Sequence, residues 1–309
     1  MSEKNAVKGK RLTVNECESG FHLRRGYGGQ VSRDSVNREP CTVNRIDTSW
    51  DDTEIVLSKM TQDTKFLFDR MTEATIDAVD AGQGEEIIDL ACGRATDALK
   101  LAMKGANVFG LDPSDKMLAK AFDWIEPGKN HPVILIRAVA EKIPFPDNSF
   151  DKLVCKGSID HFADLDSALL EMRRILNPGG KLIVSVANFE SLSCILGRIF
   201  DRAYKKIKGK KRTEHPSWLP PDDHNFKFDY QFLLKKLKPH FEIDTIQGLS
   251  LLWCAPYWGA GLEKLSPEVA EKILKTLDKL AKFLPSLSDV LVVRAKPIKP
   301  QRHEDSNEI

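Results

Sequence analysis

Two parts of this sequence put side chains capable of chemistry beside residues that shape loops. The first is IIDLACGRAT, residues 87–96. A turn of small residues between an apolar run and a helix lets the backbone approach a ligand and offers it the helix's first N–H groups. The G-x-G-x-x-G phosphate fingerprint is not met, because Ala91 stands at its first glycine and only Gly93 is kept. Some twenty residues on, Asp112 closes the run NVFGLD. A carboxylate there can accept both hydroxyls of a ribose; it can also cap the next helix, although Ser114 is the better cap. The second part comprises SIDHFAD and PPDDHNF, which carry Asp160, His161 and His224. Imidazole titrates near neutral pH and suits proton removal. The plainer alternatives are a packing role for His161 and a loop-closing contact for His224.

The elements that must position these residues are legible from hydrophobic patterning. Residues 61–79 place Phe66, Leu67, Met71 and Ile76 at helical spacing behind a Thr start. Short β-branched runs then alternate with helical stretches: strands over 86–90, 107–112, 132–138, 150–156 and 181–188, helices between them, the last over 164–177. Alternation of this kind predicts a parallel, doubly wound α/β sheet, whose strands are apolar throughout because both faces are covered. In such a sheet a ligand lies beyond the carboxyl ends of the strands, where IIDLACGRAT, Asp112 and SIDHFAD all fall. After Asn188 the pattern breaks for about forty residues. It resumes with a helix (DYQFLLKKLKPH), a strand (FEIDTIQ), a helix opened by Ser266, Pro267 and Glu268 and a last strand (DVLVVRA).

Three blocks in order, IIDLACGRATDALKLAMKGANVFGLDPSDKML, AEKIPFPDNSFDKLVCKGSIDHFAD and RILNPGGKLIVSVAN, resemble the class I S-adenosylmethionine-dependent methyltransferases, in particular their small-molecule (type 11-like) group. The resemblance covers about residues 60–188, and more weakly 224–247. It implies a seven-stranded, mostly parallel Rossmann-like sheet with a lid insert after strand five, and S-adenosyl-L-methionine as cofactor. Asp89 would lie under the methionine end, with the backbone of Ala91, Cys92 and Gly93 facing the amino acid portion. Asp112 would hold the ribose, and Pro113 and Met117 would flank the adenine. A backbone N–H at Ala140 or Glu141 would meet the ring, and Lys156, Gly157 and Ser158 would pass close to the sulfonium. Family members commonly have Gly where this chain has Ala91 and Ala95, and Asp where it has Val139. The missing carboxylate removes an acceptor worth on the order of 1 kcal/mol, and both departures imply weaker cofactor binding.

Methyl transfer from a sulfonium needs positioning and, for a hydroxyl acceptor, a base; Asp160, His161 and His224 are the candidates, and no metal is expected. The expected activity is O-methylation of a small molecule, with N- or C-methylation or a non-catalytic binding protein of the same fold as alternatives. The expected layout is a polar, flexible N-terminal extension (1–55), with an arm closing over the site through Tyr27 or Trp50 as the alternative, a catalytic domain (56–296) with a lid insert near 189–227 and a helical insert near 255–285, and a disordered polar tail (297–309).

Composition narrows the function classes. Forty-six Lys and Arg balance 45 Asp and Glu, which leaves no global basic field for nucleic acid. The sequence has no NPPY-type block, and its only Pro-Cys pair, Pro40 and Cys41, precedes the core. The six cysteines show no CxxC spacing, which argues for a reducing compartment and against zinc. With no apolar run of membrane-spanning length and no signal-like amino terminus, the expectation is a cytoplasmic protein. Residues 192–212 combine Leu192, Ile195, Leu196, Ile199 and Phe200 with a basic run. That pattern fits a lid helix with a solvated basic face, contact with an anionic membrane surface, or guidance of a lipid-linked or sugar acceptor.

Overall fold

The computed structural model describes residues 48–52, 60–125, 133–211, 216 and 218–298. Tyr27, Arg212 and the tail from 299 lie outside the described residues. Helix α1 (Gln62–Val79) precedes the sheet. The elements then run β1 (Glu86–Leu90), α2 (Thr96–Ala102), β2 (Asn107–Asp112), α3 (Asp115–Trp124), β3 (Val133–Arg137), β4 (Phe150–Lys156), α4 (Leu165–Ile175) and β5 (Leu176–Ala187). The chain continues through α5 (Leu192–Lys208), α6 (Tyr230–Leu237), β6 (Phe241–Leu249), α7 (Trp258–Leu262), α8 (Pro267–Ala281) and β7 (Val290–Pro297).

The seven strands form one sheet in the order β3-β2-β1-β4-β5-β7-β6. Only β7 runs against its neighbours. The expected doubly wound, mostly parallel α/β sheet is therefore what the chain adopts. Alternate residues of the inner strands feed opposite layers, as the period of two requires. Ile87, Val154 and Ile183 pack with α1 and α2 on one face, while Ile88, Leu153, Leu182 and Val184 pack with α4 and α6 on the other.

Helix starts follow local capping chemistry. Ser114 caps α3 by accepting from Met117 N, and Asp164, Ser191, Asp229 and Ser266 cap α4, α5, α6 and α8. One expectation needs correction. β5 begins at Leu176, not Lys181, because Asn177–Gly180 bulges from the ladder between the Phe150–Leu176 and Lys152–Lys181 pairs. The stretch after Asn188, where the regular alternation breaks, contains the 17-residue helix α5, which agrees with the lid-helix reading of 192–212.

After β1 the chain winds outward to β3 and then crosses back to β4, so its direction of travel reverses between β1 and β4. That reversal opens a crevice beyond the carboxyl ends of these two strands. Both sequence blocks with candidate chemistry border it.

Candidate functional site

The β1–α2 loop is a run of left-handed backbone. Ala91 has φ 57°, Gly93 φ 54° and Ala95 φ 55°. Left-handed φ suits glycine and costs an alanine roughly 1–2 kcal/mol, so two of the three positions hold strain. The loop is braced from β2. Asp112, buried at the strand's end, accepts from Gly93 N on Oδ2 and from Ser114 N on Oδ1, both at 2.9 Å. Burial raises its pKa above the usual carboxylate value, against the pull of those two N–H groups. Met117 is buried directly below, its Cε 3.4 Å from where a Cβ on Gly93 would sit.

Asp89 is 3% exposed, and its Oδ2 has no hydrogen-bond partner. Burial first, and then the nearby charge of Asp97, push its pKa up to about 8. Lys156 leans toward this acidic pair from β4. It donates to Thr72 Oγ1 at 2.8 Å and pairs with Asp97, so its side chain turns to α1 and α2. Gly157 follows with φ 63° and donates its N–H to Ser185 O at 2.7 Å. Ser158 Oγ donates back to Lys156 O at 3.1 Å. The Glu141 carboxylate accepts from Ala163 N (2.8 Å) and Asp164 N (3.2 Å), tying the loop that contains Ala140 to the one after β4.

A single 3₁₀ turn, Ile159–His161, follows β4. Asp160 is buried, and its backbone carbonyl accepts from Asn225 N (2.8 Å) and Phe226 N (3.1 Å). These bonds draw the distant segment 222–226 onto the turn. His224 Nδ1 lies 3.0 Å from Asp160 Oδ2, near enough for an ion pair although not aligned as a hydrogen bond. The His161 and His224 rings meet edge to face with centroids 4.5 Å apart. Burial of the His224 ring works against its protonation, but Asp160, with Asp223 behind it, outweighs that and raises its pKa above the usual 6.5. Donor atoms of Asp160, His161 and His224 all lie within 4.8 Å of one another, a set that would also suit a divalent cation.

Residues 50–52 cross the same region. Asp52 takes both arms of Arg94, at 2.5 and 2.8 Å, and with Asp51 pairs with Lys120 on α3. Trp50 O accepts from Ser114 Oγ at 2.6 Å. Its indole N–H reaches Asp223 Oδ2 at 3.4 Å, and its ring lies 6.1 Å from His161. The segment thus joins the loops after β1 and β2 to the histidine pair after β4.

Residues 88–184 match the family model described as a methyltransferase domain. That segment is a methyltransferase domain of the class I S-adenosylmethionine-dependent kind. The chain is similar to the methyltransferase GfsG of Streptomyces halstedii, 35% identical over 38% of this chain and 43% of that one. It is also similar to the ubiquinone/menaquinone biosynthesis C-methyltransferase UbiE of Azotobacter vinelandii, 27% identical over 62% of this chain and 71% of the relative. The chain thus spans less than half of the first relative's length. Among solved structures, the [4+2]-cyclase SpnF shares the fold, with a TM-score of 0.51 and 22% identity over 75% of this chain and 81% of that one.

The cofactor of this methyltransferase family is S-adenosyl-L-methionine, and the crevice fits it. The unpartnered carboxyl oxygen of Asp89 is buried where a cation would satisfy it, as the methionine ammonium would. Asp112 retains lone pairs beyond its two backbone bonds for ribose hydroxyls. The residues named from sequence fall around one crevice; Lys156 contributes backbone there, and Glu141 holds a loop. Sequence reading missed Asp51, Asp52, Arg94, Asp97 and Lys120. Their pairings are mostly long-range and leave no local pattern, although Trp50 had been singled out nearby.

Proposed function

We propose that the chain transfers a methyl group to an oxygen of a small-molecule acceptor, with His224 as the base. The observation that carries this reading is the buried Asp160 at 3.0 Å from His224 Nδ1, beside the crevice between β1 and β4. When bound, the cofactor would supply an electrophilic methyl group on a sulfonium and would keep the S–C electron pair, leaving as a neutral thioether. Asp89 and Asp112 hold its two ends, and the left-handed β1–α2 loop brings backbone N–H groups alongside. With Nδ1 turned to Asp160, the Nε2 of His224 is the acceptor for the proton that leaves the hydroxyl as the new O–C bond forms. Asp160 fixes the ring and stabilises the imidazolium that results, and residues 50–52 cover the reacting groups from water.

The UbiE relative, described as a C-methyltransferase, favours a second reading in which the acceptor atom is carbon. The same base would then take the proton that the acceptor carbon loses.

His224 must be neutral to act, and its pKa is raised. Turnover should therefore increase with pH through a limb above 6.5. Asp160→Asn should move that limb to lower pH and lower kcat by about 10- to 100-fold, with little change in cofactor affinity. A limb that stays in place in Asp160→Asn, or equal losses in turnover and cofactor affinity, would remove the base assignment. Loss of turnover on chelation, restored by a divalent cation, would give the cluster to a metal instead.

A further inference from the structure

Helix α5 has its amphipathicity reversed. A surface helix ordinarily turns its apolar stripe to the core and its polar residues to water. Here the buried residues are Ser193, Cys194 and Gly197, whereas Leu196, Ile199 and Ile207 are 40%, 55% and 77% exposed. At 100° per residue these three and Ala203 fall in one sector, turned about 120° from the mean direction of Ser193, Cys194 and Gly197. The inner face is packed closely: a Cβ on Gly197 would come within 3.0 Å of Trp218 Cδ1. The apolar stripe therefore faces outward from a helix held firmly in place.

The charge around that stripe is one-sided. Residues 192–211 carry seven Lys or Arg against a single acid, Asp201, in a chain whose net charge is +1. Arg198 is held by Glu190, and Asp201 accepts from Trp218 Nε1 at 2.9 Å. Arg202, Lys205, Lys206, Lys208, Lys210 and Lys211 are exposed. Beside the stripe, Tyr257 is 69% exposed with its ring edge-on to Phe200 at 5.5 Å. An aromatic ring with a polar tip suits the boundary between lipid and water.

We propose that this face of α5 lies on an anionic membrane surface, with Leu196, Ile199 and Ile207 inserted below the headgroups and the lysines around them. Two features favour lipid over protein. Protein interfaces are depleted in lysine and prefer arginine, and five of the six exposed basic residues of 192–211 are lysine. Long lysine stems bury beside apolar surface while their ammonium groups reach the phosphates. A second copy of the chain would bring two strongly basic faces together, which charge opposes. The helix also starts beside the site. Ser191 caps it, and Phe189, just upstream, packs its ring 5.9 Å from that of His224. The proposal goes beyond the methyl-transfer reading and does not depend on it.

The test is co-sedimentation of the full chain with vesicles of phosphatidylcholine alone and of phosphatidylcholine with about one part in four phosphatidylserine. Partitioning should be at least about tenfold stronger into the anionic vesicles and should weaken at high salt. Ile199→Glu and Ile207→Glu replace exposed side chains with a good helix former, so the fold should survive, as circular dichroism can verify. Each should cut binding about tenfold or more. Lys205→Glu with Lys206→Glu should abolish the preference for anionic lipid. Equal partitioning into both vesicle types, or undiminished binding by Ile207→Glu, would overturn the proposal. So would self-association without lipid that Ile199→Glu abolishes, which would assign the face to a second copy.

Discussion

A carboxyl oxygen buried without a partner is costly in either protonation state, and Asp89 holds such an atom in Oδ2. Burial and Asp97 carry its pKa to about 8, so near neutral pH it is mostly protonated. A cation placed against Oδ2 would reverse that balance and expel the proton. Binding of S-adenosylhomocysteine at pH 7 should therefore release about one proton, detectable by calorimetry in two buffers of different ionisation enthalpy. Asp89→Asn should abolish the release and weaken binding by roughly 1.5–3 kcal/mol, the worth of a charged hydrogen bond. Binding with no proton release in the unaltered chain would mean that the cation sits elsewhere. The aspartate itself was legible in sequence from its place at the end of an apolar run. Its protonation was not, because that depends on Asp97 and Lys156 folding against it.

At the scale of elements, the β1–α2 loop and the segment over it have opposite characters. The loop holds Ala91 and Ala95 at φ 57° and 55°. Glycine would relieve that strain at some cost in unfolded-chain entropy, leaving about 0.5–1 kcal/mol of net stabilisation per site. Ala91→Gly with Ala95→Gly should raise Tm by a few degrees, and a lowered Tm would show that the methyl groups contribute packing worth more than the strain. The covering segment is held by charge. The Arg94 guanidinium keeps the Asp52 carboxyl below the usual carboxylate range. Asp52→Ala should therefore speed dissociation of S-adenosylhomocysteine about three- to tenfold in stopped-flow measurements, and high salt should have a similar effect. An unchanged off-rate would confine residues 50–52 to a structural role. This segment was not legible as an element, and α5 was legible only as one reading of the basic run over 192–212. The helix's apolar residues recur at helical spacing, but that spacing does not reveal that α5 buries Ser193, Cys194 and Gly197 and turns Leu196, Ile199 and Ile207 outward. The segment's partners, Arg94, Ser114 and Lys120, lie more than forty residues away. The sheet, by contrast, was readable because its inner strands are buried on both faces and its helices start at capping residues.

Across the whole molecule, the titrating groups fall into two sets that act at opposite ends of the pH scale. Asp52, Asp164, Glu171 and Glu190 have lowered pKa values, set by hydrogen bonds or ion pairs. The stability they contribute is present above their usual values of 3.8 to 4.5 and is lost as pH falls through the lowered ones. Asp89, Asp112 and Asp289 have raised values, chiefly from burial. Asp289, which holds Ser193 Oγ at 2.5 Å and Trp253 N at 2.9 Å, is pushed to about 6. His224 is raised as well. For these groups the folded chain binds protons more tightly than the unfolded one, so their contribution is complete below the unfolded value and is lost as pH rises through the folded one. Each group within its window costs up to about 1.4 kcal/mol per pH unit. Without cofactor, stability should therefore peak at about pH 4 to 4.5, where the two sets cross, and decline toward pH 8, lowering Tm by several degrees. Saturating S-adenosylhomocysteine should flatten the upper part of that decline, because a bound cation keeps Asp89 ionised, and Asp89→Asn should flatten it without ligand. Thermal scans from pH 4 to 9 would decide the matter. A Tm that rises from pH 5 to 8 would show that the buried carboxyls have found partners, and the cationic pocket assigned to Asp89 would go with them.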